Sequence, residues 1–146
     1  MSVETIVVGI DESPGSRAAL TWATDLSDQL GARLVLVHVY QPLAHLEELA
    51  PGKSLQDLRD ECRARMQELF EGELERRSVS HELSILEGEP ADVLVDVAKT
   101  VGADLVVVGA RRQGPLQSLI LGSTSARLAR LTPIPVVIIH EQEVMT

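Results

Sequence analysis

Short apolar runs alternate with longer stretches whose apolar residues recur every three or four positions, and the alternation holds along nearly the whole chain. Thr5 to Ile10 is β-branched and predicts a buried strand. Ser13-Pro14 marks a helix start, with Pro at the first helical position. Ala18, Ala19, Trp22, Ala23, Leu26 and Leu30 then follow helical spacing, with Trp22 expected as a core anchor, and Gly31 stands where a C-terminal cap belongs. Arg33 to Val39 predicts a second buried strand. After a loop over 42–52, Ser54 to about Arg77 predicts a second helix, with Leu55, Leu58, Cys62, Met66, Leu69 and Phe70 on one stripe. Val79 to Leu86 alternates polar and apolar residues, as an edge strand does.

Glu89-Pro90 opens a third helix carrying Val93, Leu94, Val97 and Ala98 and closed by Gly102. Asp104 to Gly109 is the most central-looking strand. A fourth helix is expected from Ser123 to Leu131, stopped at Thr132-Pro133, and Ile134 to Ile139 is the last strand. Strands alternating with helices mean β-α-β units, right-handed crossovers and a single doubly wound, open parallel sheet. Such a sheet receives ligands at the carboxyl ends of its strands, where strand order reverses.

Composition sharpens the picture. The 146 residues are 45% hydrophobic but only 2% aromatic, so the core must be built from Val, Ile, Leu and Ala, the palette of strands covered on both faces. One cysteine, Cys62, excludes an internal disulfide and reads as a core residue. The formal net charge of -9 lacks the basic balance a nucleic-acid binder needs. No run is apolar enough to span a bilayer and no leader is visible, so the expectation is a cytoplasmic single domain without membrane partners. A nucleotide is a different partner, because backbone N–H groups hold its phosphates even in an acidic protein.

Two strand ends carry the candidate chemistry. The first strand ends in Gly9-Ile10-Asp11, and the fourth ends in Val108-Gly109. From Gly109 a glycine-bearing loop leads to Gly122-Ser123-Thr124-Ser125, which opens a helix. Small hydroxyl residues at a helix N-terminus face an anion with free N–H groups and the positive end of the dipole. If the two strands are neighbours, Asp11 and this loop share one crevice, suited to a ribose or base beside a phosphate cradle. The plainer readings are that Asp11 caps the first helix and that Gly122-Ser123-Thr124 only starts the fourth. His38 and His140 read as sheet residues rather than metal ligands. No triad, metal cluster or Walker loop suggests catalysis.

Over nearly its full length the chain resembles the universal stress protein family. Nucleotide-binding members of that family carry Gly, two residues, Gly, nine residues, then Gly followed by Ser or Thr. Gly109, Gly122 and Ser123 match that pattern, and Arg112 stands at the middle glycine. Asp11 after the first strand, Val39 ending the second and Pro133-Ile134-Pro135 before the last extend the resemblance. It implies five parallel strands in the order 3-2-1-4-5 with helices on both faces.

It also implies ATP, with Mg²⁺, as the ligand of a stress-response regulator. Asp11 would meet the adenosine with Gly9 and Ile10 as its wall, and Val39 would offer backbone groups to the adenine edge. Val108, Gly109, Arg111 and Arg112 would shape the phosphate loop, and Gly122, Ser123, Thr124 and Ser125 would hold the phosphates. Arg112 either blocks the pocket or clamps the phosphates. A vestigial site in a homodimeric interaction protein is the competing reading, and a cyclic-nucleotide binder a third. The apolar last strand, expected at a sheet edge, invites antiparallel pairing with a second copy, as in many family members, and a proline at Val137 would remove a ladder donor.

Overall fold

A computed structural model describes residues 2–41, 48, 50–75, 77–110 and 123–141. Along the described residues run β1 (Thr5–Gly9), α1 (Pro14–Leu30), β2 (Arg33–Tyr40), α2 (Leu55–Glu75), β3 (His81–Glu87), α3 (Pro90–Val101), β4 (Leu105–Gly109), α4 (Ser123–Leu131) and β5 (Val136–Ile139). All strand pairs are parallel and the sheet order is β3-β2-β1-β4-β5. The middle strand is therefore β1, with β4 beside it. Strand order reverses between these two.

Alternation along the strands builds two cores. Ile6, Val8, Leu34, Leu36 and Val107 face α1 and α2, where they meet Leu20, Ala23, Met66, Phe70 and Leu74. Val7, Val35, Val37, Val106 and Val108 face α3 and α4, where they meet Leu94, Val95, Ala98 and Leu128. Each inner strand is buried on both faces, which is why its sequence reads as a continuous apolar run.

Helix ends follow their caps. Ser13 accepts from Ser16 N at the start of α1, Glu89 accepts from Asp92 N at the start of α3, and Gly31 and Gly102 close these helices in left-handed conformations. At α2, Ser54 and Asp57 bond each other's backbone N–H reciprocally. Hydrogen bonding to the carboxyl from the Ser54 backbone N–H, and next from its side chain, holds Asp57 below the ordinary carboxylate range.

The buried side of α1 differs from the expected stripe. It runs through Gly15, Ser16, Ala19, Leu20, Ala23, Thr24 and Ser27, so small and hydroxyl residues face the sheet. Thr24 satisfies its hydroxyl internally by donating to Leu20 O at 2.7 Å. The rotation leaves Trp22 37% exposed, no core anchor, and Leu30 exposed as well; at the start of α2, Leu55 is also exposed. Cys62 is half-buried against the α1–α2 core.

Strand ends shift where side chains intercept the ladder. The last strand starts at Val136 rather than Ile134, because Thr132 Oγ1 accepts from Ile134 N at 3.1 Å and Pro135 has no N–H. Asp104 stays outside β4 and accepts from Glu4 N and Thr5 N at 2.8 and 3.2 Å. The third strand starts at His81, just after a turn with Ser78 at φ 50°.

The two sheet edges differ. On β3, Ser80 O accepts from Leu34 N, so Leu83 alternates outward, and Arg63 of α2 donates to its carbonyl at 3.1 Å. The other edge is β5, four half-buried apolar residues. Pro135 O and Ile139 O accept from Val106 N and Ala110 N, so Val137 also faces β4. The outward backbone groups belong to Val136 and Ile138, and a proline at Val137 would cut the sheet's own ladder first. Among the described residues no helix is long and apolar enough to cross a membrane.

Candidate functional site

At the reversal between β1 and β4 the sheet opens, because the helices next in order after these neighbouring strands, α1 and α4, pack on opposite faces. A cleft of about 240 Å³ lies there, at the carboxyl ends of the strands. Its floor is Gly9, Val37, Val39, Val108 and Gly109, and Leu94 of α3 and Ser125 of α4 close one side.

The turn from β1 into α1 forms the opposite lip, held by a closed set of hydrogen bonds. Asp11 N donates to Ser16 Oγ at 2.7 Å, Ser13 N donates to Asp11 Oδ1 at 2.7 Å, and Ser16 N donates to Ser13 Oγ at 3.2 Å. Asp11 is thus a half-buried carboxylate that lines the cleft and is fixed by its own turn; the cap of α1 is Ser13, so the reading of Asp11 as that helix's cap does not hold. From the second strand, His38 lines the same cleft. Its Nδ1 lies 2.9 Å from Ile10 O, which can only accept, so Nδ1 carries the proton and donates. Behind the turn, Arg65 of α2 donates to Glu12 at 2.7 Å, a hydrogen bond that raises the guanidinium pKa further.

The glycines here have different reasons for being glycine. A Cβ on Gly9 would meet Leu94 Cδ1 at 3.1 Å and Val108 Cγ1 at 3.3 Å, on the cleft side of the sheet. A Cβ on Gly109 would meet Gly15 C at 2.3 Å and Ser16 N at 2.7 Å, on the α1 side. Gly15 is equally tight, with Ala110 O at 2.5 Å from its missing Cβ. So the absence of a side chain at Gly109 lets α1 rest its first turn directly on the end of β4. That contact draws Ser13 and Ser16 up to the cleft.

Opposite, the first turn of α4 delivers Thr124 and Ser125, and Ser125 is 2% exposed. Two residues on, Arg127 reaches across to α3. Its Nε is 3.4 Å from Glu89 Oε2, and its Nη2 donates to Asp92 Oδ1 and Oδ2 at 3.1 and 3.3 Å.

Of the residues expected from sequence, Gly9, Ile10, Asp11, Val39, Val108, Gly109, Thr124 and Ser125 line this one cleft. Ser123 begins α4. Arg111, Arg112 and Gly122 lie outside the described residues. Sequence reasoning missed Ser13, Ser16, Val37, His38, Pro90 and Leu94 as lining residues. Ser13 and Pro90 were visible as helix starts. Nothing in a linear pattern could put either beside Thr124. Among the described residues no cluster of three or more His, Cys, Asp or Glu could hold a metal ion.

The model of the universal stress protein family matches residues 2–140. The chain is 26% identical to the stress response protein NhaX of Bacillus subtilis, covering 93% of this chain and 97% of that one. It is 31% identical to the universal stress protein Rv2005c of Mycobacterium tuberculosis, where 93% of this chain spans only 45% of the relative. Among solved structures, a universal stress protein in complex with cAMP superposes with a TM-score of 0.71 at 26% identity, covering 97% of this chain and all of that one. A universal stress protein from Archaeoglobus fulgidus in complex with dAMP gives 0.71 at 21% identity, covering 95% and 99%.

Proposed function

The chain belongs to the universal stress protein family, and from that premise we propose that its cleft binds an adenine nucleotide, ATP with Mg²⁺, as the bound state of a stress-response regulator. The observation that carries the reading is one cleft that joins the Gly9–Asp11 turn to the first turn of α4 at the point where strand order reverses. Apolar walls from Val37, Val39, Val108 and Leu94 suit a base, and Asp11 suits a ribose hydroxyl. Thr124 and Ser125, with the start of α4, suit an anion.

The volume supports the same division. About 240 Å³ is below the ~300–1,000 Å³ of sites that enclose a whole ligand. It takes a nucleoside, and the phosphates extend toward the first turn of α4. Asp11, Ser13 and Thr124 supply oxygen donors of the kind Mg²⁺ accepts. The relatives solved with cAMP and dAMP bind adenine nucleotides themselves, which agrees with this assignment. The cAMP complex also favours a second reading, a cyclic-nucleotide sensor using the same cleft.

We infer binding rather than turnover as the role, in a cytoplasmic protein that pairs through β5. Isothermal titration of nucleotide-stripped protein tests it, with ATP, AMP and cAMP compared. Heat and a thermal shift with ATP are expected, because a ligand that binds only the native state raises its stability. Absence of both at millimolar ATP overturns the assignment, and preference for cAMP selects the second reading.

A further inference from the structure

Beside the cleft, where the start of α3 meets α4, stand two carboxylates. Glu89 directly precedes Pro90, a lining residue, and Asp92 follows two positions later. Glu89 Oε2 accepts from Asp92 N at 2.9 Å, which fixes this carboxylate at the start of α3. Adjacent Cα atoms are only about 3.8 Å apart, so Glu89 is rooted next to a lining residue, a short step against the ~10 Å over which charge is felt at ~0.1 M salt. Left alone, the pair would repel a phosphate chain and favour an uncharged nucleoside.

Arg127 is what stands against them. Its guanidinium spans both carboxylates, at 3.4 Å from Glu89 and 3.1 Å from Asp92, and it rises from the same helix turn that presents Thr124 and Ser125. The three side chains are 41–50% exposed, so the pairs add little to folding stability. Their effect on the field at the lip is larger: the group carries net charge -1 with Arg127 and -2 without it. Resting on the adenine-nucleotide reading above, we propose that Arg127 sets how many phosphates the cleft accepts, by neutralising Glu89 and Asp92 beside the ligand's phosphate end. It acts as a positioning and screening residue, with no requirement that it touch the nucleotide.

The test compares adenosine, AMP, ADP and ATP by titration on the full chain and on charge variants. Arg127→Gln should weaken ATP about fivefold to tenfold and adenosine less than about twofold, with ADP and AMP in between, as Coulomb repulsion scales with ligand charge. Arg127→Lys should keep most of the wild-type ratio. Adding Glu89→Gln and Asp92→Asn to Arg127→Gln should restore ATP binding, and the amide introduced by Glu89→Gln still offers an oxygen to the α3 cap. The Arg127→Gln defect should also shrink in ~1 M KCl, where the Debye length is ~3 Å. Thermal melts check that every variant is folded. An equal loss for adenosine and ATP, or no loss for either, overturns the proposal while leaving nucleotide binding standing. A wild-type chain that binds none of the four ligands overturns both.

Discussion

Replacing Gly109 by Ala separates what the fold needs from what a ligand needs. The added Cβ would sit 2.3 Å from Gly15 C and 2.4 Å from Gly15 O, whereas ordinary contact begins at 3.4 Å. Relief therefore requires α1 and β4 to part by about 1.1 Å. Both partners are backbone, so no rotamer can absorb the change. Overpacking of this kind costs ~1–3 kcal/mol, and the upper end applies where only main chain can yield. At ~2–4 °C per kcal/mol for a domain of this size, the melting temperature should fall by about 6–12 °C. Gly9→Ala is the control. Its Cβ meets only side-chain atoms of Leu94 and Val108, at 3.1 and 3.3 Å. It should cost less than ~1 kcal/mol and act instead on the cleft, whose floor it narrows. Differential scanning calorimetry and ATP titration on both variants read the two effects. Gly109→Ala melting within about 2 °C of wild type would refute the claim that α1 rests on this backbone.

Three further outcomes follow from the same geometry. Ser16→Ala removes the acceptor for Asp11 N in a residue only 3% exposed, so urea unfolding should show a loss of ~1–2 kcal/mol. Ile138→Pro deletes an outward donor of β5 and should turn a dimer into a monomer of 15.9 kDa by light scattering, whereas Val137→Pro should destabilise the fold itself; a wild-type monomer at micromolar concentration ends this idea. Trp22, the single tryptophan, should be readily quenched by iodide, and Trp22→Ala should change stability by less than ~1 kcal/mol; a strongly shielded, blue-shifted emission from the monomer contradicts its exposure.

Much of the architecture was legible because parallel strands buried on both faces must be apolar throughout, and helices must announce their ends. Thr5–Gly9, Leu105–Gly109, the Pro14 and Pro90 starts and the Gly31 and Gly102 caps all follow from that. The position of α1 about its axis was not legible. Counting apolar positions put Trp22 inward, but Ser16, Thr24 and Ser27 are the residues small enough for a helix lying this close to the sheet. The cleft was legible from the two strand ends that border it, Gly9–Asp11 and Val108–Gly109. His38, Ser16 and Leu94 were not, because their membership depends on how three helices and a neighbouring strand converge. Gly109 is the instructive case. Its place in a glycine pattern suggests room for a phosphate; what the structure shows is room for α1.

The unequal edges of the sheet bear on how far this protein can associate. At β3 an arginine already occupies the Leu83 carbonyl, and charged Glu82 and Glu87 flank it. At β5 the four strand residues, which include the outward-facing Val136 and Ile138, are all uncharged and branched. A molecule with two open edges can propagate into a ribbon; one with a single open edge has a valence of one. Pairing about a two-fold axis would consume that valence in both copies at once and leave no template for a third. Assembly of this protein should then saturate with concentration instead of lengthening. Should β5 pair in this way, the guard at Leu83 works against the growth of that contact into a fibre.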